Sequence, residues 1–304
     1  MKGLKKIALA TAVAAAPFAA HADLKAMDDS AMGNVTGQAG VTIELETKVS
    51  IGQFKYTDEG SFAVNDIVLG GAGVTTEGAA AGYNTLLDQL KIDIDVADDG
   101  DAIIHVGSLE TDPTTGAPVP IDWGMTVGSM ELLAGSTGSD STTLISNMSG
   151  YGNLAALDMS VDTATDQLNI VAAFDIQDMD FDVEFLGIGV RDMVITGAGD
   201  NFDYDGDGLL VSEGTETEEG GNDLTTAAGQ LAYGKLSKYA NVDLDVYKGA
   251  GLGASTATDV LRIDVNNVYM DMSIGAVEIG GTSIGSFALD NLAVTDTKLA
   301  VYGH

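Results

Sequence analysis

Cysteine is absent from this 304-residue chain, histidine occurs three times, proline four times and tryptophan once. Without cysteine there is no disulfide, so the fold must rest on burial, hydrogen bonding or bound metal. Beyond residue 22 the only histidines are His105 and His304, which leaves little material for a zinc site, a Cys–His pair or an orthodox Ser–His–Asp triad. No Gly-x-Ser-x-Gly elbow and no glycine loop with a phosphate-binding lysine is present. Aromatic residues make up 6% of the chain, too few for the two interfacial girdles of a transmembrane barrel, and no lipid-facing band stands out. Basic residues are the other shortage: 13 Lys and Arg stand against 46 Asp and Glu, a formal net charge of −33. A field of that sign repels phosphate backbones and anionic headgroups, so nucleic acid and electrostatic membrane docking are disfavoured and cations are the natural partners.

The N-terminus places Lys2, Lys5 and Lys6 ahead of an alanine-rich apolar run, Ile7–Ala20, which ends in the small-x-small site Ala20-His21-Ala22. Basic head, short apolar middle and small-residue exit are the parts of an export signal, and the run is too short to span a bilayer comfortably. Cleavage is expected after Ala22, leaving a single β-rich mature domain over residues 23–304 with ten basic and 46 acidic residues, net −36. No later apolar stretch is long enough for a transmembrane helix. Periplasm, outer-membrane surface or extracellular space is the expected location.

What is abundant is glycine, 39 residues, roughly twice the usual ~7%, and strict alternation. Val41, Ile43, Leu45, Val49 and Ile51 alternate with Glu44, Glu46, Lys48 and Ser50; Leu90, Ile92, Ile94 and Val96 alternate with Lys91, Asp93 and Asp95; Val242, Leu244 and Val246 repeat the pattern. Period two with one apolar and one carboxylate-rich face predicts sheets that pack on one side and face water on the other. The alternation slips by one residue at Gln177-Asp178 and at Asn266-Asn267, and a β-bulge is expected at both, because an unabsorbed slip would invert the faces. From Met272 onward, Ile274, Ile279, Ile284, Leu289, Val294 and Leu299 recur every five residues, most with an apolar partner two residues earlier. That spacing suits a narrow β-solenoid, and it equally suits short antiparallel strands turned at glycines such as Gly280-Gly281. The predicted class is therefore all-β: a strand-rich elongated sheet or a β-solenoid with short turns and a few short helices, the candidates being 24–32 and 223–239. Asp98-Asp99-Gly100-Asp101 reads as a hairpin turn, and residues 199–222 as an acidic loop insertion.

Within that insertion lies the sharpest motif, Asp203-Tyr204-Asp205-Gly206-Asp207-Gly208. Asp203, Asp205 and Asp207 with the Leu209 carbonyl resemble the first seven positions of an EF-type calcium loop, but position 12 is Gly214, with Glu213 one place early. The loop reads equally as a weak calcium cage or as a solvated acidic turn.

The start of the mature chain, Leu24-Lys25-Ala26-Met27-Asp28-Asp29 followed by Val35-Thr36-Gly37-Gln38-Ala39-Gly40-Val41-Thr42-Ile43, and its end, Ile279–Gly285 through Val301-Tyr302-Gly303-His304, resemble a family of exported Gram-negative proteins that includes the pilus-system protein FilA. The resemblance implies an envelope or surface role, with pilus or envelope proteins, or further copies of the chain, as partners, and it transfers no catalytic residue. The expected function is a non-enzymatic structural or adhesive surface protein, calcium-stabilised if the acidic loop binds metal. The alternatives are a calcium-dependent carbohydrate-active enzyme on a solenoid and a periplasmic binding or chaperone-like module.

Overall fold

A computed structural model describes residues 40–135, 141–204, 217–219 and 222–303. The export signal at 1–22, the helix expected over 24–32 and the calcium-loop residues Asp205, Asp207, Leu209 and Glu213 lie outside the described residues. In chain order the strands are β1 (Val41–Thr47), β2 (Val49–Thr57), β3 (Ser61–Gly70), β4 (Leu87–Val96), β5 (Ala102–Ser108), β6 (Ile121–Leu133), β7 (Ser141–Asp162), β8 (Gln167–Val183), β9 (Ile188–Thr196), the two-residue β10 (Glu218–Glu219) and β11 (Asn222–Asp223), β12 (Ala240–Gly249), β13 (Val260–Ile279) and β14 (Thr282–Val301). Helix α1 (Thr76–Ala80) and helix α2 (Ala227–Lys238) are short, and the second falls where helical spacing predicts one.

Twelve of the strands form one sheet, antiparallel at every pairing. The long strands β7, β8, β13 and β14 run its full height, and β1 with β2 forms a fifth long track interrupted only at Lys48. Between these tracks the sheet forks. The C-terminal part of β7 pairs with β5, which pairs with β4 and then β1; its N-terminal part pairs with β6, then β3, then β2. On its other side, β8 pairs with β12 through its first half and with β9 through its second, and both lead to β13. We call the limb through β1, β4, β5 and β12 the upper limb, and that through β2, β3, β6 and β9 the lower.

Register carries the apolar pattern straight across. In the upper limb Ile43 opposes Ile92, then Val106, Leu157, Ala172, Val242, Val268 and Val294. The neighbouring row, on the other face, runs Thr42, Asp93, His105, Asp158, Val171, Asp243, Asn267 and Thr295. Two faces of opposite character are thus present as the alternation predicts.

The apolar face is packed in part. Leu90 and Val106 are buried and cluster with Ile121, with Ile92, Ile104, Leu157 and Met159 half-buried against them, whereas Val41, Ile43, Leu45, Val49, Ile51, Phe287, Leu299 and Val301 at the two margins are exposed. Among the described residues nothing of comparable size can cover it: the other sheet has two strands, and the helices have five and twelve residues. Among the described residues Ile121 and Val260 are the largest side chains sealed from solvent.

Burial is also dense at the forks, where connecting segments fill the gaps. The first is filled by the 3-10 turn Ala72–Val74 and α1; the buried Ala72 donates its backbone N–H to Asp122 Oδ2 on β6 at 2.7 Å. Thr75 caps α1 by accepting from Gly78 N at 3.0 Å. The second is filled by the excursion between β9 and β12. Gly197 N and Gly199 N donate to Lys238 O and Ser237 O, and Tyr239 packs on Ala155 and Ala173. Tyr204 stacks edge-on against Phe202 and Tyr269 and donates its hydroxyl to Gly199 O and Leu236 O.

Both expected bulges are present: Gln177 is the extra residue where Tyr151 pairs with Asp178 but Gly152 with Ile176, and Asn266 where Asp243 pairs with Asn267 but Leu244 with Val265. The solenoid alternative is replaced by the antiparallel one. β13 and β14 are a single long hairpin turned at Gly280-Gly281, both with positive φ as a tight two-residue turn requires. The five-residue repeat is period two with an extra residue inserted at intervals; in β14 the insertions fall at Gly285, Asn291 and Asp296, whose φ values are 132°, 56° and 53°.

Candidate functional site

Strand β8 places Asp178, Asp180 and Asp182 two apart, hence on one face. The β8–β9 pairing, with Phe181 opposite Val190 and Asp182 opposite Gly189, brings up the start of β9 beside them. Asp192 has φ 51°, a left-handed kink that Asp tolerates better than most residues. Its backbone N–H donates to Asp180 Oδ1 at 2.8 Å. Space for the kink comes from Gly275 on β13, where a Cβ would lie 2.8 Å from that of Asp192.

The result is a three-carboxylate cluster: one oxygen each from Asp178, Asp180 and Asp192 lies within 4.8 Å of the others, and it is the metal-competent group found among the described residues. Asp178 and Asp180 are half-buried and Asp192 exposed. Desolvation first, then the charges of Asp180, Glu77 and Asp192, push the Asp178 carboxyl up to about 6. Three hard anionic oxygens in this spacing are part of what a calcium ion collects, the remaining ligands being carbonyls or water.

One cation flanks the cluster. Arg191 donates from Nη2 to Asp182 Oδ1 at 2.5 Å and lies 3.3 Å from Glu278 Oε2, while its Nη1 donates to the Phe181 and Val190 carbonyls at 3.1 and 2.9 Å. It therefore stitches β8, β9 and β13 together. The Asn147 amide and Arg191 hold the Asp182 carboxyl below its usual range. Neighbouring aspartates on one strand are thus driven in opposite directions.

Of the residues singled out by sequence for calcium, Asp203 alone is described. It is half-buried beside the Tyr204 cluster, and the other four lie outside the described residues. The Asp178–Asp180–Asp192 group escaped sequence reasoning. The alternation of the first two was visible, but Asp192 joins them only through a bulged register that no local pattern discloses. His105 occupies the carboxylate-bearing face, with Nδ1 2.5 Å from Asp158 Oδ1.

A second constellation lies at the forks. A cleft of about 470 Å³ is lined by Tyr83, Asn84, Asp88, Asp122, Asn153 and Tyr239 among others. Burial, and to a lesser degree the charge of Asp88, raises the Asp122 carboxyl above its usual value. The cleft combines aromatic faces, amides and three carboxylates, Asp88, Glu110 and Asp122, the inventory of a polyhydroxylated-ligand site.

Residues 1–98 match a family described as "Family of unknown function (DUF6160)". The match ends in the turn after β4, so it takes in the first sheet margin and the filling of the first fork. No curated protein and no solved structure matches the chain. No helix among the described residues is long and apolar enough to cross a membrane.

Proposed function

We propose that the chain is an exported, non-enzymatic structural or adhesive protein of the cell surface, associated with a pilus or similar filament. The observation that carries this reading is the wide apolar sheet face left half-open across eight strand positions, opposite a face bearing carboxylates. Such a face is a surface for association with other envelope proteins or further copies rather than a closed reaction chamber. The leader-like N-terminus and the resemblance at both ends of the chain agree with it. Calcium is the cofactor that fits, at the Asp203–Glu213 loop and at the Asp178–Asp180–Asp192 cluster, since both gather hard oxygens in a chain with few cations of its own. Cell fractionation and mass spectrometry of sheared surface filaments test the proposal. The expected result is a chain beginning at Asp23 in the sheared fraction; a full-length chain held in the cytoplasm would overturn it. For the metal, a melting curve indifferent to millimolar calcium, and unchanged by Asp205→Ala in its presence, removes calcium from the picture.

The fork cleft supports a second reading, a glycan-binding or carbohydrate-active module, because Asp122 is held more readily protonated beside Asp88 and two tyrosines. Incubation with a polysaccharide panel, with and without chelator, separates the two. Cleavage or saturable binding lost in Asp122→Asn favours the cleft.

A further inference from the structure

The two margins of the large sheet are long, carry an apolar face and are close to net neutral. β1 with β2 covers residues 41–57 and β14 covers 282–301, and each pairs on one side only among the described residues. An exposed strand edge offers a row of backbone donors and acceptors to another strand, and proteins that remain monomeric blunt such edges with charge, proline or brevity. Neither margin contains proline. The first carries Glu44 and Glu46 against Lys48 and Lys55, net zero; the second carries Asp290 and Asp296 against Lys298, net −1. In a chain of net charge −33, self-repulsion at these two edges is weak.

Their geometry is complementary. From margin to margin the sheet is eight positions wide and antiparallel throughout, so β14 runs opposite to β1 and β2. A second copy set beside the first therefore continues the alternation without a break. Both margins are interrupted at the level of the forks, at Lys48 between β1 and β2 on one side and by the register shift at Asp290–Asn291 on the other. Both present apolar residues on the same face: Val41, Ile43 and Leu45 share a face with Leu292, Val294 and Leu299 through the continuous register. We infer that the β14 edge of one copy pairs antiparallel with the β1–β2 edge of a second copy, joining copies head to tail into one continuous sheet. This deepens the structural-assembly reading and rests on it. Because the two joined surfaces differ, the contact is heterologous and extends to a ring or a filament.

Two lysine-pair variants test it in the purified protein by sedimentation. Ile43→Lys with Ile51→Lys blocks the first edge, and Ile284→Lys with Leu299→Lys blocks the second; all four side chains are between 41% and 65% exposed. The wild type is expected to gain mass with concentration, each variant alone to stay at one-copy mass, and an equimolar mixture to form a two-copy species and nothing larger. A wild type of constant one-copy mass, self-association by either variant alone, or a mixture that stays single overturns the inference; the first would fit closure of the sheet within one copy, the second a two-fold contact. Should a variant fail to fold, hydrogen exchange of the wild type decides: amides in 41–57 and 282–301 must slow as concentration rises, and concentration-independent exchange there sinks the idea. Self-pairing in a protein absent from the surface would remove the functional reading alone, and surface location without self-pairing would remove this inference alone.

Discussion

Asp178 and Asp182 lie four residues apart on one strand and respond to pH with opposite sign. Asp178 is raised to about 6 from an unfolded value near 3.8, so the folded state binds its proton first, and stability rises as pH falls through the interval between those values. Solvent reaches the open side of the cluster, which limits the cost of ionised Asp178 above pH 6 to on the order of 1 kcal/mol. Asp178→Asn is accordingly expected to stabilise the metal-free protein by about that amount at pH 7.5 and by almost nothing at pH 3.5; urea melts at the two pH values measure it. Millimolar calcium should invert the order at pH 7.5, because the ion favours the ionised cluster and the amide is a poorer ligand. Asp182 behaves conversely: Asn147 and Arg191 lower it, so its contribution is present above the unfolded value and lost as pH falls through the folded one. Arg191→Ala removes the partner of that carboxylate and frees two backbone carbonyls. A loss of about 1–2 kcal/mol is expected, read as a lower urea midpoint at unchanged slope.

At the scale of elements, the joints that make the sheet fork depend on close backbone approach. Gly152 sits where β7 passes the β8 bulge, and a Cβ there would lie 2.1 Å from the Asp175 carbonyl oxygen. The adjacent Asn153 ties the same joint with its backbone N–H and side-chain amide, both donated to Asp175. Gly152→Ala should therefore cost about 2–3 kcal/mol, whereas Gly52→Ala, with nothing within 4 Å of the new Cβ, should change stability by less than about 0.5 kcal/mol. Thermal melts of the pair give the comparison. These joints mark where the sequence stops being legible. Alternation in β1, β4 and β12 identifies strands and faces directly, and slips at Gln177 and Asn266 identify bulges, because both are local consequences of a period of two. The repeat from Ile274 to Leu299 was ambiguous for the same reason: an inward pair every five residues looks alike whether a solenoid corner or a bulge supplies the extra residue. Left-handed tolerance of glycine, asparagine and aspartate at 285, 291 and 296 favours the bulge, and antiparallel pairing decides it. The fork, and with it the approach of Asp192 to Asp178, depends on strands as distant as β5 and β6 choosing different halves of β7. Nothing local encodes that choice.

For the molecule as a whole, charge and sheet architecture pull against each other. A compact domain offsets self-repulsion with a sealed core, but here large sealed side chains are few and the apolar face is half-open, while the formal net charge is −33. Surface carboxylates repeat across the sheet at strand spacing, roughly 5 Å, which is inside the Debye length of about 10 Å at 0.1 M salt and far inside the ~30 Å at 0.01 M. Five lysine or arginine ion pairs among the described residues relieve few of those carboxylates, and most such surface pairs contribute little. Stability should therefore climb steeply with ionic strength between 0.01 and 0.2 M sodium chloride and then level off as screening saturates. Calcium should give the same rise at concentrations at least tenfold lower, through charge neutralisation over the carboxylate face as well as through binding at clusters. A thermal melt series in the two salts, repeated with Asp178→Asn, separates these contributions. Persistence of most of the calcium effect in the variant assigns it to the face, and its loss assigns it to the cluster. A melting temperature independent of salt across this range would mean that the open sheet is held by contacts strong enough to ignore its own field.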